Sequence, residues 1–179
     1  MTLSQSSEED HSLDISSVEE TVAGIINVTS GEKLTICEAV KKGLIPKKTA
    51  IYLLDAQAAT GCVVNPRSGA KLSVHDAVKL GIVNESYKAS MLAAEGAFYG
   101  YLDPRTGESI SLNTAMQREI FPRVQGLRLL EAQVATGGII DPWTGKRYSI
   151  ASALSKGLVD FETSKFLMCP DEKQDFFDP

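Results

Sequence analysis

Four glycines, Gly31, Gly69, Gly107 and Gly145, follow one another at intervals of 38 residues. The same step carries Ala39 to Ala77, Ala115 and Ala153, Leu54 to Leu92 and Leu130, and Pro66 to Pro104 and Pro142. A fixed period of this length means a repeat architecture. One such unit cannot bury its own apolar face, so stability has to come from units packing on one another. Function is then sought first on a surface shared by the units and only second in a reactive cleft.

One unit reads as a β-hairpin, a short helix and a longer helix, an α+β pattern. In the second unit Cys62-Val63-Val64 is a β-branched strand. Asn65-Pro66-Arg67-Ser68-Gly69 carries turn chemistry: an Asn side chain to cap the turn, a Pro to preset φ, and a Gly for the left-handed closing residue. Asp103-Pro104-Arg105-Thr106-Gly107 and Asp141-Pro142-Trp143-Thr144-Gly145 repeat it, and Asn27-Val28-Thr29-Ser30-Gly31 lacks only the Pro. Hairpins are expected at roughly 24–34, 62–72, 100–110 and 138–148. Thr35 with Glu38 fits a capping box; Ser73 with Asp76 is a weaker version, and Ser111 and Ser149 keep the N-cap alone. Gly43, Gly81 and Gly157 suit helix C-caps. The third unit has Glu119 there, so its turn is expected to be built differently. Pro46, Asn84 and Asp160 open the longer helices, and the last is expected to end near Met168. Phe98, Tyr99 and Tyr101 are expected in the strand core of the third hairpin, and Trp143, in a turn, to be partly exposed.

The formal net charge of −5 hides a division. Residues 1–20 hold six acids and no Lys or Arg, and residues 168–179 hold four acids and Lys173. Between them, residues 21–167 carry 17 basic and 13 acidic residues, a net of +4. A basic body with acidic ends matters because the electrostatics of a binding face are local. The expected domain plan is an acidic, largely disordered segment at 1–20, a repeat domain at 21–168 and an acidic tail at 169–179; residues 15–20 resemble the remnant of a preceding helix.

Catalytic parts are missing. His75 has no second histidine beside it, which leaves metal and triad chemistry without partners. Gly138 to Lys146 does not make a phosphate loop: the glycine such a loop needs five residues before Gly145 is Ile140, and Lys146 is followed by Arg147. Cys37, Cys62 and Cys169 form no CxxC and read as reduced thiols of a cytosolic protein. No apolar run reaches the length of a membrane span, and basic clusters interleaved with aromatics, the mark of nucleic-acid binding, are absent. The chain therefore reads as no enzyme, with no cofactor, no metal, no nucleic acid and no membrane as partner.

The run Leu130-Glu131-Ala132-Gln133-Val134-Ala135-Thr136-Gly137-Gly138-Ile139-Ile140-Asp141-Pro142-Trp143-Thr144-Gly145 resembles the signature of a plectin repeat, and Ser149 through Ala153 to Asp160 continues the match. It recurs in register over about residues 22–168. Tandem copies form the plakin repeat domain of cytolinkers such as plectin, desmoplakin and envoplakin. The weak first repeat and acidic ends would suit a spectraplakin. The resemblance implies one globular domain of four repeats packed around one another, monomeric in isolation and taken from a large cytoplasmic, cytoskeleton-associated protein, with cell junctions as a further location. It also implies binding of intermediate filaments, with a basic groove docking the acidic rod of vimentin-like proteins. Arg67 and Arg105 depart from the small apolar residue usual after the hairpin Pro.

An acidic rod needs spaced cations whose screened contacts add up. The expected contact residues are Lys41, Lys42, Arg67, Lys71, Arg105, Arg118, Lys146 and Arg147, with Lys47, Lys48, Arg123, Arg128 and Lys156 as further cations in reach of such a face. Each alone is also an ordinary solvated side chain; the related positions of Arg67, Arg105 and the Lys146-Arg147 pair favour one stripe. The rival expectation is a spacer or intramolecular docking unit, with the acidic ends lying across the cations.

Overall fold

The computed structural model describes residues 22–169. The expectations for the acidic segment 1–20 and for the tail after Cys169 lie outside the described residues. Four antiparallel two-stranded hairpins are present among them: β1 (Ile25–Ile26) with β2 (Lys33–Leu34), β3 (Val63–Val64) with β4 (Lys71–Leu72), β5 (Tyr101–Leu102) with β6 (Ser109–Ile110), and β7 (Ile139–Ile140) with β8 (Arg147–Tyr148). The register repeats too, pairing Ile25 with Leu34, Val63 with Leu72, Tyr101 with Ile110 and Ile139 with Tyr148. A short helix of six residues follows each hairpin: α1 (Ile36–Lys41), α3 (Val74–Lys79), α5 (Leu112–Gln117) and α7 (Ile150–Ser155). A longer helix completes each unit: α2 (Lys47–Ala59), α4 (Glu85–Tyr99), α6 (Arg123–Ala135) and α8 (Phe161–Met168).

Turn chemistry explains why two-residue strands hold. In every hairpin the first turn residue accepts, through its side-chain Oδ1, the N–H two residues on: Asn27 from Thr29, Asn65 from Arg67, Asp103 from Arg105 and Asp141 from Trp143, at 2.9–3.0 Å. Its backbone carbonyl accepts the N–H of the closing glycine, and its own N–H is donated across the turn. The first hairpin makes this turn without the Pro. The side-chain cap supplies the geometry and Pro only presets it.

Capping follows the sequence. Thr35 and Glu38 form the full box, with Thr35 N–H donated to Glu38 Oε2 at 2.8 Å. Asp76, one methylene shorter, accepts instead from the Ser73 hydroxyl at 2.9 Å. Ser111 and Ser149 cap by side chain alone. The third unit corrects one expectation. Glu119 takes φ 58°, beside 69–74° for Gly43, Gly81 and Gly157. It also makes the same bonds, its N–H to Met116 O and Ile120 N–H to Ala115 O. The turn is the same; a glutamate is forced into it.

The repeated alanines Ala39, Ala77, Ala115 and Ala153 are all fully buried, where the small methyl side chain lets each short helix close on its unit. Further alanines, Ala50, Ala58, Ala59, Ala94 and Ala97, line the junctions of the long helices, with Leu54, Met91, Leu127 and Leu130 among them. The α2–α4 contact is the most extensive, and α2 also packs on α6, two units away. The repeats therefore wrap on one another and share one core. Phe98 and Tyr99 correct a second expectation: they end α4, and Tyr99 is exposed. Tyr101 is half-buried on β5, its ring 5.2 Å from that of Phe121 and its hydroxyl donated to Ala93 O. Trp143 is 58% exposed at its turn. Cys37 is buried and accepts from Asn84 N–H, while Cys62 and Cys169 are half-buried.

Candidate functional site

The cations of the hairpin turns are held in distinct ways. Arg67 Nη2 leaves the second hairpin and reaches back to α1, donating to both Glu38 oxygens at 2.8 and 2.9 Å. Glu38 thereby serves its own helix cap and ties unit to unit. The Thr35 backbone N–H, with Arg67 second, holds its carboxyl below the usual range. Arg105 and Arg118 are brought together in the third unit. Arg105 Nη2 donates to the Arg118 carbonyl at 2.8 Å, and Arg118 pairs with the buried Asp103 and lies 3.6 Å from Glu108. The Arg105 backbone N–H and then the Arg118 guanidinium lower the Asp103 carboxyl. Most of Arg105 remains in solvent, its side chain 70% exposed.

Lys42 pairs with Glu32 at 2.8 Å. Lys41, Lys71 and Lys146 are exposed. Arg147 is turned away from its neighbour Lys146: half-buried, it donates to Gln133 O, Thr136 Oγ1 and Gly138 O at 3.2–3.4 Å. Burial lowers its pKa. The guanidinium joins the end of α6 to the fourth hairpin.

A groove runs between α2 and α6, with a volume of about 620 Å³. Ile51, Ala56, Pro122, Val124 and Leu129 supply its apolar wall. Arg128 lies over the Tyr52 ring at 4.3 Å, and Lys48 Nζ stands 6.0 Å from the same ring, within the reach of a cation–π contact. Glu131 and Asp55 also line it. Asp55 is buried, accepts from the Ser90 hydroxyl at 2.8 and 2.9 Å, and has its carboxyl pushed up by burial against the hydrogen bonds of Ser90 and Gln125.

Sequence reasoning by the 38-residue step did not find this groove. The signal was present at the doubled step: Tyr52 and Arg128, and likewise Asp55 and Glu131, are 76 residues apart and occupy equivalent positions. The doubled step also pairs the glutamines. Gln57 Oε1 accepts from Val64 N–H, and Gln133 Oε1 from Ile140 N–H, each bonding a long helix to the hairpin that follows. Gln133 Nε2 further donates to Ala59 O and Ala97 O, the ends of two other long helices.

Among the described residues no group of three His, Cys, Asp or Glu could hold a metal ion, and no helix is long and apolar enough to cross a membrane. His75 is exposed on α3. The family model for the plectin repeat matches residues 21–50, 53–90 and 129–167, more than half of the chain. The gap between the second and third matches holds the third hairpin and α5, where Glu119 replaces the cap glycine, yet that stretch folds like the others. With hairpin, cap and helix order reproduced in all four units, the chain belongs to the plectin repeat family and is a plakin-type repeat domain, a structural module of cytoskeletal linkers.

Proposed function

We propose that this domain is a non-catalytic cytolinker module that binds the acidic rod of vimentin-like intermediate filaments in the cytoplasm. The observation that carries the reading is the state of its lysines. Lys41, Lys47 and Lys146 are exposed and have no acid partner among the described residues. Lys48 is exposed beside the Tyr52 ring. They stand on a body of net charge +4. Arg67 and Arg105 add guanidinium groups that are oriented by Glu38 and by the Arg118 carbonyl but still reach solvent. A side chain already ordered loses less entropy when it meets a partner. Lys42, Lys71 and Arg118 complete the face on this reading, with Arg147 as its support.

Each such contact is worth about 1 kcal/mol or less and is screened by salt, so binding rests on their number. Co-sedimentation with vimentin filaments over a salt series is the test. Binding at low salt that falls steeply toward high salt is the expected result. A Lys41→Glu/Lys146→Glu double variant is expected to lose about tenfold in affinity. No binding at low salt, or binding indifferent to salt, would remove the proposal.

A further inference from the structure

We propose that the fourth unit carries the subsite for the partner's acidic side chains: Lys146 and Lys156 take a pair of carboxylates on an acidic helix, and Trp143 takes the apolar residue beside them. The inference rests on the filament reading for the identity of the partner and deepens it. It comes from comparing the units. In the third, positions 105, 108 and 118 meet in one cluster: Arg105 Nη2 donates to the Arg118 carbonyl at 2.8 Å, and the Arg118 guanidinium lies 3.6 Å from Glu108. The first unit repeats the ion pair, with Lys42 2.8 Å from Glu32. In the second the two positions hold Ala70 and Leu80, and neither is charged. In the fourth they hold Lys146 and Lys156, and Trp143 stands where the third unit has Arg105.

The backbone at these positions is the same in units one, three and four. The N–H groups of Asn27, Asp103 and Asp141 are donated to the carbonyls of Glu32, Glu108 and Lys146, each at 2.9 Å. Lys42, Arg118 and Lys156 each end a short helix by donating to the carbonyl four residues back, at 2.9–3.0 Å. Two lysines therefore border the space that holds an acid and a cation in the first and third units. Like charges so placed repel. Among the described residues no acid pairs with either lysine.

The neighbouring charges do not fill the gap. Asp141 gives its oxygens to the Trp143 N–H and the Thr144 hydroxyl, and Arg147 is folded onto Gln133, Thr136 and Gly138. Lys156 rests over the Tyr148 ring at 4.7 Å, while Lys146 and Trp143 stand in solvent. What the cluster lacks is an anion, and charge complementarity selects a partner that brings one. An acidic helix presents carboxylates one turn apart, about 5–6 Å between Cβ atoms, the scale of the space between two such lysines. An exposed tryptophan next to the cations supplies the apolar anchor that salt does not screen.

Trp143 is the one tryptophan of the chain, so its emission reports on this subsite. The probe is a tryptophan-free helical peptide with glutamates one turn apart around a leucine, titrated into the full chain at low salt; a saturable blue shift is expected. Lys146→Glu rebuilds the ion pair of the first and third units. It should keep or raise the urea midpoint read by circular dichroism, yet weaken both peptide and vimentin-filament binding about fivefold or more. Lys165→Glu makes the same charge change on α8 and should stay within about twofold of the parent. An unmoved Trp143 emission, equal losses in the two variants, or a lower urea midpoint for Lys146→Glu would each overturn the proposal. Filaments bound equally by parent and Lys146→Glu would remove the subsite alone. A chain that takes the peptide as expected but ignores filaments would keep the subsite and remove the filament reading.

Discussion

Glu119 carries a side chain in a conformation that its three counterparts leave to glycine, φ 58°. A left-handed residue with a Cβ costs roughly 1–2 kcal/mol, offset in part by the greater unfolded freedom of glycine. Glu119→Gly is therefore expected to raise stability by about 0.5–1 kcal/mol, read as a higher urea midpoint at unchanged slope. Gln133 is the opposite case. Its buried amide satisfies Ala59 O, Ala97 O and Ile140 N–H at once, and leaving buried polar groups unpaired costs about 1–3 kcal/mol. Gln133→Leu should lose about 3 kcal/mol in the same measurement. Asp55 makes stability depend on pH. Burial lifts its carboxyl above the ordinary aspartate range, so the folded state keeps a proton that the unfolded chain has already released. Its contribution falls as pH rises from the ordinary value through the raised one. Asp55→Asn should remove that loss and be more stable than the parent above this window. Glu38 and Asp103 have lowered values; their stabilisation is present above the ordinary carboxylate range and is lost as pH falls through the lowered ones. Thermal midpoints of parent and variant across acidic and neutral pH separate the two trends.

At the scale of elements, the long helices begin in two alternating ways. Pro46 and Pro122 precede α2 and α6 without a side-chain cap, while Asn84 and Asp160 cap α4 and α8. The residue identities for this were visible in the chain. Its consequence was not, because a cap's worth depends on what else it touches. The Asn84 side chain accepts from Ser86 N–H, within its own helix, whereas the Asp160 side chain accepts from Thr163 N–H at 2.7 Å and also from Gln117 Nε2 of α5 at 2.9 Å. Asn84→Ala should cost about 1 kcal/mol and Asp160→Ala closer to about 2 kcal/mol. A smaller loss for Asp160 than for Asn84, in urea titrations of the two variants, would contradict the cross-element role of Gln117. The hairpins were the most legible elements, since the Asx turn, the closing glycine and the flanking apolar pair are all local. Phe98 and Tyr99 were misplaced for a related reason. Aromatic residues next to a strand read as strand, but the end of α4 is set by Gly100, whose φ of 94° breaks the helix just before β5.

For the molecule as a whole, α2 packs on both α4 and α6, which couples units that an open solenoid would keep apart. A row of nearest-neighbour contacts can unfold in stages; a shared core favours one cooperative transition. Trp143 lies in the fourth unit, so its fluorescence reports locally while far-UV circular dichroism reports on all the helices. The two urea curves are expected to coincide. An earlier fluorescence transition would mean that the fourth unit melts by itself.

The repeat length, the hairpin–helix–helix order, the caps and the family were written in the chain, because each depends on residues within a few positions of one another or on a fixed step. Tertiary structure decided which cations face outward and which are spent inside. Lys146 and Arg147 are neighbours in sequence, yet one stands in water and the other is folded onto Gln133, Thr136 and Gly138. It also decided that Tyr52 would meet Arg128 across a groove. A period fixes which positions are equivalent, but only the angle at which one unit packs on the next determines which equivalent positions touch.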